Sequence, residues 1–415
     1  MPTSIEHIKE SITPNKREGD RKRVLVCAGH YLPGYKSGGP IRSISNMITN
    51  LGAYFDFYVM TRDRDLADVS SYPDIRPNNW YRVGNAQVLY CSSVSLDICR
   101  HVFQEVRPDI INLNSFQDSF TRTMAILRHR GEFGSTPVIL APRGEFSLEA
   151  MKIKKAKKIL YRHATKLIGL YDNILWKVST PREKADLLQA APTRALNPAS
   201  IYVTYEISDA IASLAPCMEK NIGSVKLAFA ARISEIKNLH FLLKVLHDIQ
   251  GKVQLDIFGP VAEKDAAYWE KCRKAMMRLP DHIKAEYKGP LEHSVIPHVL
   301  NAHHFFVLPT RGENFCHSAV ESFVNGTPVV LSDATPWIHL EDMHAGFDIP
   351  LNDRGGWVAA IQKCVDMDQH TYASNVRGAR EYGKRFSLEG AVRQHLAMFY
   401  SALSPVIKSH YGVIN

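Results

Sequence analysis

Short apolar runs alternate with segments of helical periodicity along most of the chain. The runs at 23–30 (RVLVCAGH), 55–61 (FDFYVMT), 86–91 (AQVLYC), 109–113 (DIINL), 137–141 (PVILA) and 174–178 read as strands. Most are nearly continuous in apolar residues, the pattern of strands covered on both faces of a parallel sheet. Helical spacing occupies 95–106 and 118–130, and two more helices start near Pro40 and Thr180-Pro181. Proline suits such starts, because the first helical N–H has no partner in any case. After a stretch at 207–224 the pattern restarts. Strands are predicted at 225–231, 253–258, 284–287, 305–308 and 328–331, and helices at 239–249, 264–279, 356–368 and 388–402. The fold class is therefore α/β, with two tandem doubly wound Rossmann-like domains facing across a cleft. The expected bounds are 22–206 for the first domain, 207–224 for a linker and 225–385 for the second. Residues 386–415 are expected to form a C-terminal helix and tail that pack back on the first domain. Nothing repeats closely enough for a solenoid.

At 415 residues the chain is too long for one ordinary core. Its 45% hydrophobic and 22% charged residues, with mean hydropathy −0.19, are those of a soluble globular protein. No apolar run approaches the roughly 18 residues of a membrane span. Residues 1–21 lack the apolar core of a signal peptide and are expected to be a disordered tail. Seven cysteines, with no CxxC pair, point to reduced cytosolic thiols rather than a zinc site or disulfide framework. The net charge of +9 suggests an anionic partner. A nucleic acid, an anionic membrane surface and a phosphorylated ligand all satisfy it.

The stretch with the densest candidate chemistry is RGENFCHSAVESF, from Arg311 to Phe323. It joins the strand at 305–308 to a helix that Gly326-Thr327-Pro328 ends, so Glu313 falls on a tight loop and Glu321 inside the helix. Free N–H groups of a first helical turn make a seat for phosphate. Two carboxylates at this spacing could each grip a hydroxyl of one ligand, or simply be solvated. The other strand ends carry Gly38-Gly39 in YLPGYKSGGP, Asn114, Arg143-Gly144-Glu145, Arg232 with Lys237, Gly259 and Gly289. Arg232 and Lys237 suit a diphosphate, although surface cations are common.

One further segment, 151–168 (MKIKKAKKILYRHATKLI), places Ile153, Ala156, Leu160 and Leu167 in an apolar stripe. Lys154, Lys155, Lys158, Arg162 and Lys166 lie mostly away from it. Two readings fit: a surface helix packed by its apolar face, or a basic amphipathic helix that meets an anionic membrane or diphosphate headgroup.

Together these motifs resemble retaining nucleotide-sugar glycosyltransferases of the GT-B fold, in glycosyltransferase family four (glycosyl transferases group 1). The resemblance runs from about Arg23 to residue 400, and RGENFCHSAVE followed by GTPVVLSDATPW is its most specific part. It implies that Glu313 and the backbone of Asn314, Phe315, Cys316 and His317 hold the donor sugar and phosphate, and that Glu321 binds the ribose. Arg232 and Lys237 would neutralise the leaving diphosphate. Gly38 and Gly39 would lie near the phosphates, and Gly289 to Leu291 near the base. Where relatives often have glycines flanking the Phe, this chain has Asn314 and Cys316. Where many have a histidine next to the donor sugar, it has Arg143, which would orient sugar or acceptor.

The implied activity is metal-independent transfer of a sugar, of the hexosyltransferase type, from a nucleotide-diphosphate donor to a saccharide or lipid-linked saccharide acceptor. No cofactor, metal or nucleic-acid partner is expected. Polysaccharide or lipopolysaccharide biosynthesis at the cytoplasmic face of a membrane is the implied setting. Rival readings are a nucleotide-sugar epimerase of the same fold and a non-catalytic sugar-binding protein.

Overall fold

A computed structural model describes residues 21–147, 150–151, 155–210 and 217–404. The expected N-terminal tail up to residue 20, residues 211–216 of the linker, and Ile153 and Lys154 of the basic stretch lie outside the described residues. The chain forms two compact units. Of the described residues, unit 1 comprises 21–179, Glu183–Glu206 and 392–404, and unit 2 comprises Thr180–Arg182 and those of Ile207–Ala391.

Unit 1 runs β1 (Lys22–Cys27), α1 (Gly39–Leu51), β2 (Phe55–Arg62), β3 (Trp80–Val83), β4 (Ala86–Cys91), α2 (Leu96–Val106) and β5 (Ile110–Asn114). It continues through α3 (Ser119–His129), β6 (Val138–Ala141), α4 (Lys155–Ile168), β7 (Leu175–Val178), α5 (Pro181–Ala190) and β8 (Ile201–Val203). Its eight-stranded sheet has the order β3-β4-β2-β1-β5-β6-β7-β8. Every pairing is parallel except β3 with β4. All five residues of β5 are buried, as a central parallel strand requires. Ser95 caps α2 by accepting from Ile98 N at 3.2 Å, and Asp118 caps α3 by accepting from Phe120 N at 2.8 Å. The sequence pattern missed β3, a short half-exposed edge strand, and the three-residue β8.

Unit 2 runs β9 (Ser224–Ala230), α6 (Leu239–Leu246), β10 (Lys252–Phe258), α7 (Ala266–Met276), β11 (Ile283–Gly289), α8 (Ile296–Asn301) and β12 (Phe305–Leu308). There follow α9 (His317–Asn325), β13 (Val329–Ser332), β14 (Gly346–Ile349), α10 (Arg354–Asp366), α11 (Gln369–Gly383) and α12 (Leu388–Leu403). Its six strands are parallel in the order β11-β10-β9-β12-β13-β14. Three of these elements were not predicted: α8, which is only six residues long, α11 and β14. The buried face of α11 is made of Tyr372, Asn375, Val376, Ala379, Tyr382 and Gly383, too mixed to register as an apolar stripe. β14 is only four residues long and opens on Gly346. The segment at 217–223, expected as linker, is held to unit 2. Lys220 Nζ is buried there and donates to the carbonyls of Asn221, Val365 and Met367 at 2.9–3.0 Å.

The expectation for 151–168 is corrected on one point. α4 forms, but its apolar stripe faces solvent: Leu160 is 72% and Leu167 81% exposed, and Ala156 is exposed too. The polar side turns inward. Thr165 is buried, Tyr161 Oη lies 2.6 Å from Tyr171 Oη, and Lys158 Nζ donates to Ala150 O at 2.6 Å. Helical periodicity located the stripe correctly, but periodicity alone cannot say which side the sheet will take.

From Val392 onward α12 belongs to unit 1, where the fully buried Phe399 ring lies 5.2 Å from Phe55 and 6.4 Å from Phe57, centroid to centroid. Tyr205 N also donates to Gln394 Oε1 at 3.0 Å. Phe399→Ala removes a ring at the meeting point of α12 and β2, and is expected to cost about 3–5 kcal/mol. Urea denaturation followed by tryptophan emission reads this directly. An unchanged midpoint would show that the ring does not carry the contact.

Candidate functional site

The first strand of unit 2, β9, ends in the middle of its sheet, with β10 and β11 on one side and β12 to β14 on the other. The loops after β9 and β12 therefore depart in opposite senses from neighbouring strand ends. In open parallel sheets this crevice at the carboxyl ends is where ligands bind. Arg232 to Lys237 follow β9, and Thr310 to Cys316 follow β12. The next two strands bring Gly259 and Gly289 to the same edge. Gly259 N donates to Gly289 O at 2.9 Å, and Tyr287 Oη donates to Gly259 O at 2.9 Å. Gly259 has φ 138°, and a Cβ there would overlap the Ala231 carbonyl oxygen. Only glycine lets the turn after β10 lie against the backbone leading into Arg232. Leu291 stands half-buried two residues beyond Gly289.

The loop after β12 is laced to its neighbours at both ends. Arg311 N donates to Ile236 O at 2.7 Å, and Glu313 N donates to Ala334 O at 3.2 Å. Thr310 Oγ1 lies 3.1 Å from Ile236 O and 3.2 Å from Glu313 Oε1. Lys237 Nζ forms an ion pair with Glu313, both side chains being largely buried at 19% and 12% exposure. Two residues expected to receive different parts of one ligand thus hold each other here. Thr310 had no signal in the sequence, since a threonine after a strand is unremarkable until its partners are known.

The helix that follows begins as expected. Cys316, its N-cap, adopts the left-handed conformation at φ 63°, ψ 68°. The glycine-like geometry is kept although cysteine has a Cβ, at a cost of about 1–2 kcal/mol. Burial pushes the Cys316 thiol up to about 12, with Glu313 adding in the same direction, so this cysteine is not a nucleophile at neutral pH. Behind the loop the Phe315 ring packs edge-on against Trp337 at 5.4 Å, His317 at 5.0 Å and Phe386 at 6.2 Å. Phe315 is 4% exposed, so its part in any site is through its backbone. Asn314 and His317 are half-buried on either side of it. Glu321 is enclosed at 2% exposure, one turn into α9.

The remaining candidates belong to unit 1. Gly38, at φ 68° and ψ −123°, is the N-cap of α1, and Gly39 is its first residue. Their loop hangs on the buried Asp65, whose Oδ2 accepts from Tyr35 N at 2.7 Å and Lys36 N at 3.0 Å. It follows β1, the central strand at which the order of this sheet also reverses. Arg143, expected to meet sugar or acceptor, is instead turned into unit 1. Its Nη1 donates to Glu206 Oε1 at 2.7 Å and its Nη2 to Asn114 Oδ1 at 2.6 Å, leaving the side chain 10% exposed. Arg143 is thus an anchor for the loop after β6, which Glu183 also grips through Gly144 N at 2.6 Å. Glu206 is the hub, also paired with the buried Lys177 and accepting from Ser179 Oγ at 2.5 Å. Burial alone would raise the Glu206 carboxyl, but Arg143 and Lys177 outweigh that and hold it well below the usual carboxylate range.

A cavity of about 630 Å³ lies at the opposite edge of unit 2, lined by Lys226, Lys252, Lys284 and His304 at the amino ends of its strands. It contains none of the candidate residues, which gather instead at the carboxyl ends of the strands. Among the described residues no group of three or more His, Cys, Asp or Glu is gathered as a metal-ligand set.

The architecture and this loop together define a class. Residues 224–367, most of unit 2, match the model of the family described as glycosyl transferases group 1. Across 92% of the chain the fold superposes on sucrose-phosphate synthase from Thermosynechococcus elongatus, covering 99% of that chain with a TM-score of 0.73 at 15% identity. HepE from Anabaena, solved in complex with UDP and glucose, matches 92% of this chain and 100% of its own, with a TM-score of 0.66 at 15% identity. WaaG, a glycosyltransferase involved in lipopolysaccharide biosynthesis, matches 91% and 99% with a TM-score of 0.63 at 13% identity. No curated protein matches the chain. The chain therefore has the GT-B fold, and within its second unit residues 224–367 are similar to the glycosyl transferases group 1 model.

The Glu206 hub makes a quantitative test of the unit 1 loop. Glu206→Gln leaves Arg143 and Lys177 without their carboxylate and should cost about 3–5 kcal/mol at pH 7. A carboxyl whose folded pKa is depressed contributes fully above its unfolded value of about 4.3 and loses that contribution as pH falls toward the folded value. The gap between wild type and variant should hold from pH 7 to 5 and narrow only below about pH 4.3. Denaturant midpoints across that range check it, and a gap that narrows already above pH 5 would contradict the assignment.

Proposed function

We propose that the chain is a retaining glycosyltransferase, of glycosyltransferase family four, that moves a hexose from a nucleotide-diphosphate donor to a saccharide or lipid-linked saccharide acceptor without a metal. The observation that carries this reading is the pairing of Lys237 with Glu313 at the switch point of unit 2, beside the N-terminus of α9. The match of residues 224–367 supports it, as does the UDP and glucose bound in HepE.

In this reading the donor diphosphate takes Lys237 from Glu313 and lies against Arg232 and the first N–H groups of α9. Glu313, released, accepts a hydroxyl of the donor sugar. The bond between the anomeric carbon and the phosphate oxygen breaks, and its electron pair goes to the diphosphate. The acceptor oxygen bonds the anomeric carbon on the same face, and its proton passes to the departing phosphate oxygen. Cations already in place as that charge develops stabilise the transition state more than the ground state. Glu321 binds the ribose, and the turn at Gly289–Leu291 meets the base. Arg143 acts through the loop it holds.

A thermal-shift panel of nucleotide diphosphates and their sugars would identify the donor, since ligand at 100 times its dissociation constant adds about 2.7 kcal/mol. With that donor, Glu313→Gln should lower turnover by roughly 10² or more. Glu321→Gln should weaken nucleotide binding by about 1.5–3 kcal/mol. Wild-type kinetics in both variants would overturn the assignment, and isomerised sugar formed without acceptor would favour an epimerase. Activity should also survive EDTA, because Arg232 and Lys237 take the part a divalent cation would play. Loss on chelation with recovery by Mn²⁺ or Mg²⁺ would refute that part of the mechanism.

A further inference from the structure

α4 is amphipathic the wrong way round for a helix that only covers a sheet. A covering helix buries its apolar stripe and leaves its charges in water. Here Leu160 and Leu167, seven residues apart, are 72% and 81% exposed, and Ile168 at their C-terminal end is 52% exposed. Ala156 and Ala164 lie on the same exposed face, and exposed Lys157, His163 and Lys166 surround it. Five of the helix's 14 residues are Lys or Arg and none is acidic. Its inward side holds Tyr161 and Thr165, which are hydrogen-bonded within unit 1.

We infer that this face of α4 is a membrane-docking surface, lying in the headgroup layer of an anionic bilayer. The leucines would reach the acyl boundary, and the lysines would meet lipid phosphates. The arrangement of charge favours lipid over a second protein. Lysines flanking a narrow aliphatic stripe, with no acidic residue on the helix, match a surface that is anionic outside and apolar just beneath. Three exposed aliphatic side chains on one short helix also fall well short of the roughly 800 Å² that a stable protein partner buries on each side. Spanning is excluded for α4 itself, at 14 residues against the roughly 20 that a crossing needs. The inference stands apart from the proposed reaction, since its test reads no activity.

Flotation of the full chain with phosphatidylcholine vesicles containing one-third phosphatidylglycerol tests it, with pure phosphatidylcholine vesicles as the control. Binding is expected to the anionic vesicles only, and to be lost in about 1 M NaCl, where screening acts within about 3 Å. Lys157→Glu with Lys166→Glu should weaken it by at least about 30-fold. Leu160→Ser with Leu167→Ser should do so by a similar factor, because the stripe no longer inserts. Both double variants change only exposed positions, and unaltered thermal melting would show that they are folded. Failure of the wild type to float with the anionic vesicles would overturn the inference. So would binding that neither double variant reduces, or a wild-type dimer in sedimentation that the leucine variant converts to monomer.

Discussion

The constraint on which both units depend is the central position of their first strand. β1 and β9 each end up in the middle of a parallel sheet, so the chain must build outward on one side and return to build on the other. The loops leaving two adjacent strand ends then diverge, and the crevice between them cannot be filled by either crossover. In unit 2 this alone brings together Lys237 and Glu313, which are 76 residues apart in sequence. In unit 1 the loop of Gly38 and Gly39 follows the end of β1, while the neighbouring strand β5 ends at Asn114, whose Nδ2 lies 3.4 Å from Cys27 O.

A crevice of this kind needs walls that do not collapse into it, and the two units stiffen theirs by different means. Unit 1 uses buried carboxylates. Glu145 accepts from Gln117 N at 2.8 Å, Glu183 from Gly144 N and Ser179 N at 2.6 Å, and Glu206 from Arg143 at 2.7 Å. Each ties the end of one strand to the end of another through hydrogen bonds, which are more directional than apolar contact. Unit 2 uses rings. Phe315, Trp337 and Phe386 pack edge to face behind the acidic loop, so the backbone that would face a ligand rests on close-packed aromatics. In both cases the polar atoms left pointing into the crevice belong to a backbone that is already fixed, and little ordering remains when a ligand arrives.

The inverted helix α4 shows the same physics at the surface. Burying Leu160 and Leu167 against the sheet would favour folding by about 1.5–3 kcal/mol each. The fold forgoes this and spends the inward side of α4 on Tyr161 and Thr165. Such a choice is unfavourable for an isolated soluble domain and becomes favourable once another apolar phase is available to the outer face.

Much of this was already written in the chain. Nearly continuous apolar runs such as LVC at β1 and IINL at β5 can be buried only between two helical layers, which determines α/β and a parallel sheet before any coordinate is known. RGENFCHSAVESF, with a strand before it and a glycine after it, determines a loop and a helix N-terminus, and with them the place of Glu313 and Glu321. Local pattern is enough for these because each depends on neighbours within a few residues. It was not enough for β14 or α11, whose buried faces are short or mixed and become apolar only against their partners. Nor could it decide what Arg143 touches, since Glu206 and Asn114 come from strand ends 63 and 29 residues away. Which side of α4 faces the sheet is likewise a tertiary matter. An amphipathic helix has two faces, and only packing against the rest of unit 1 chooses between them.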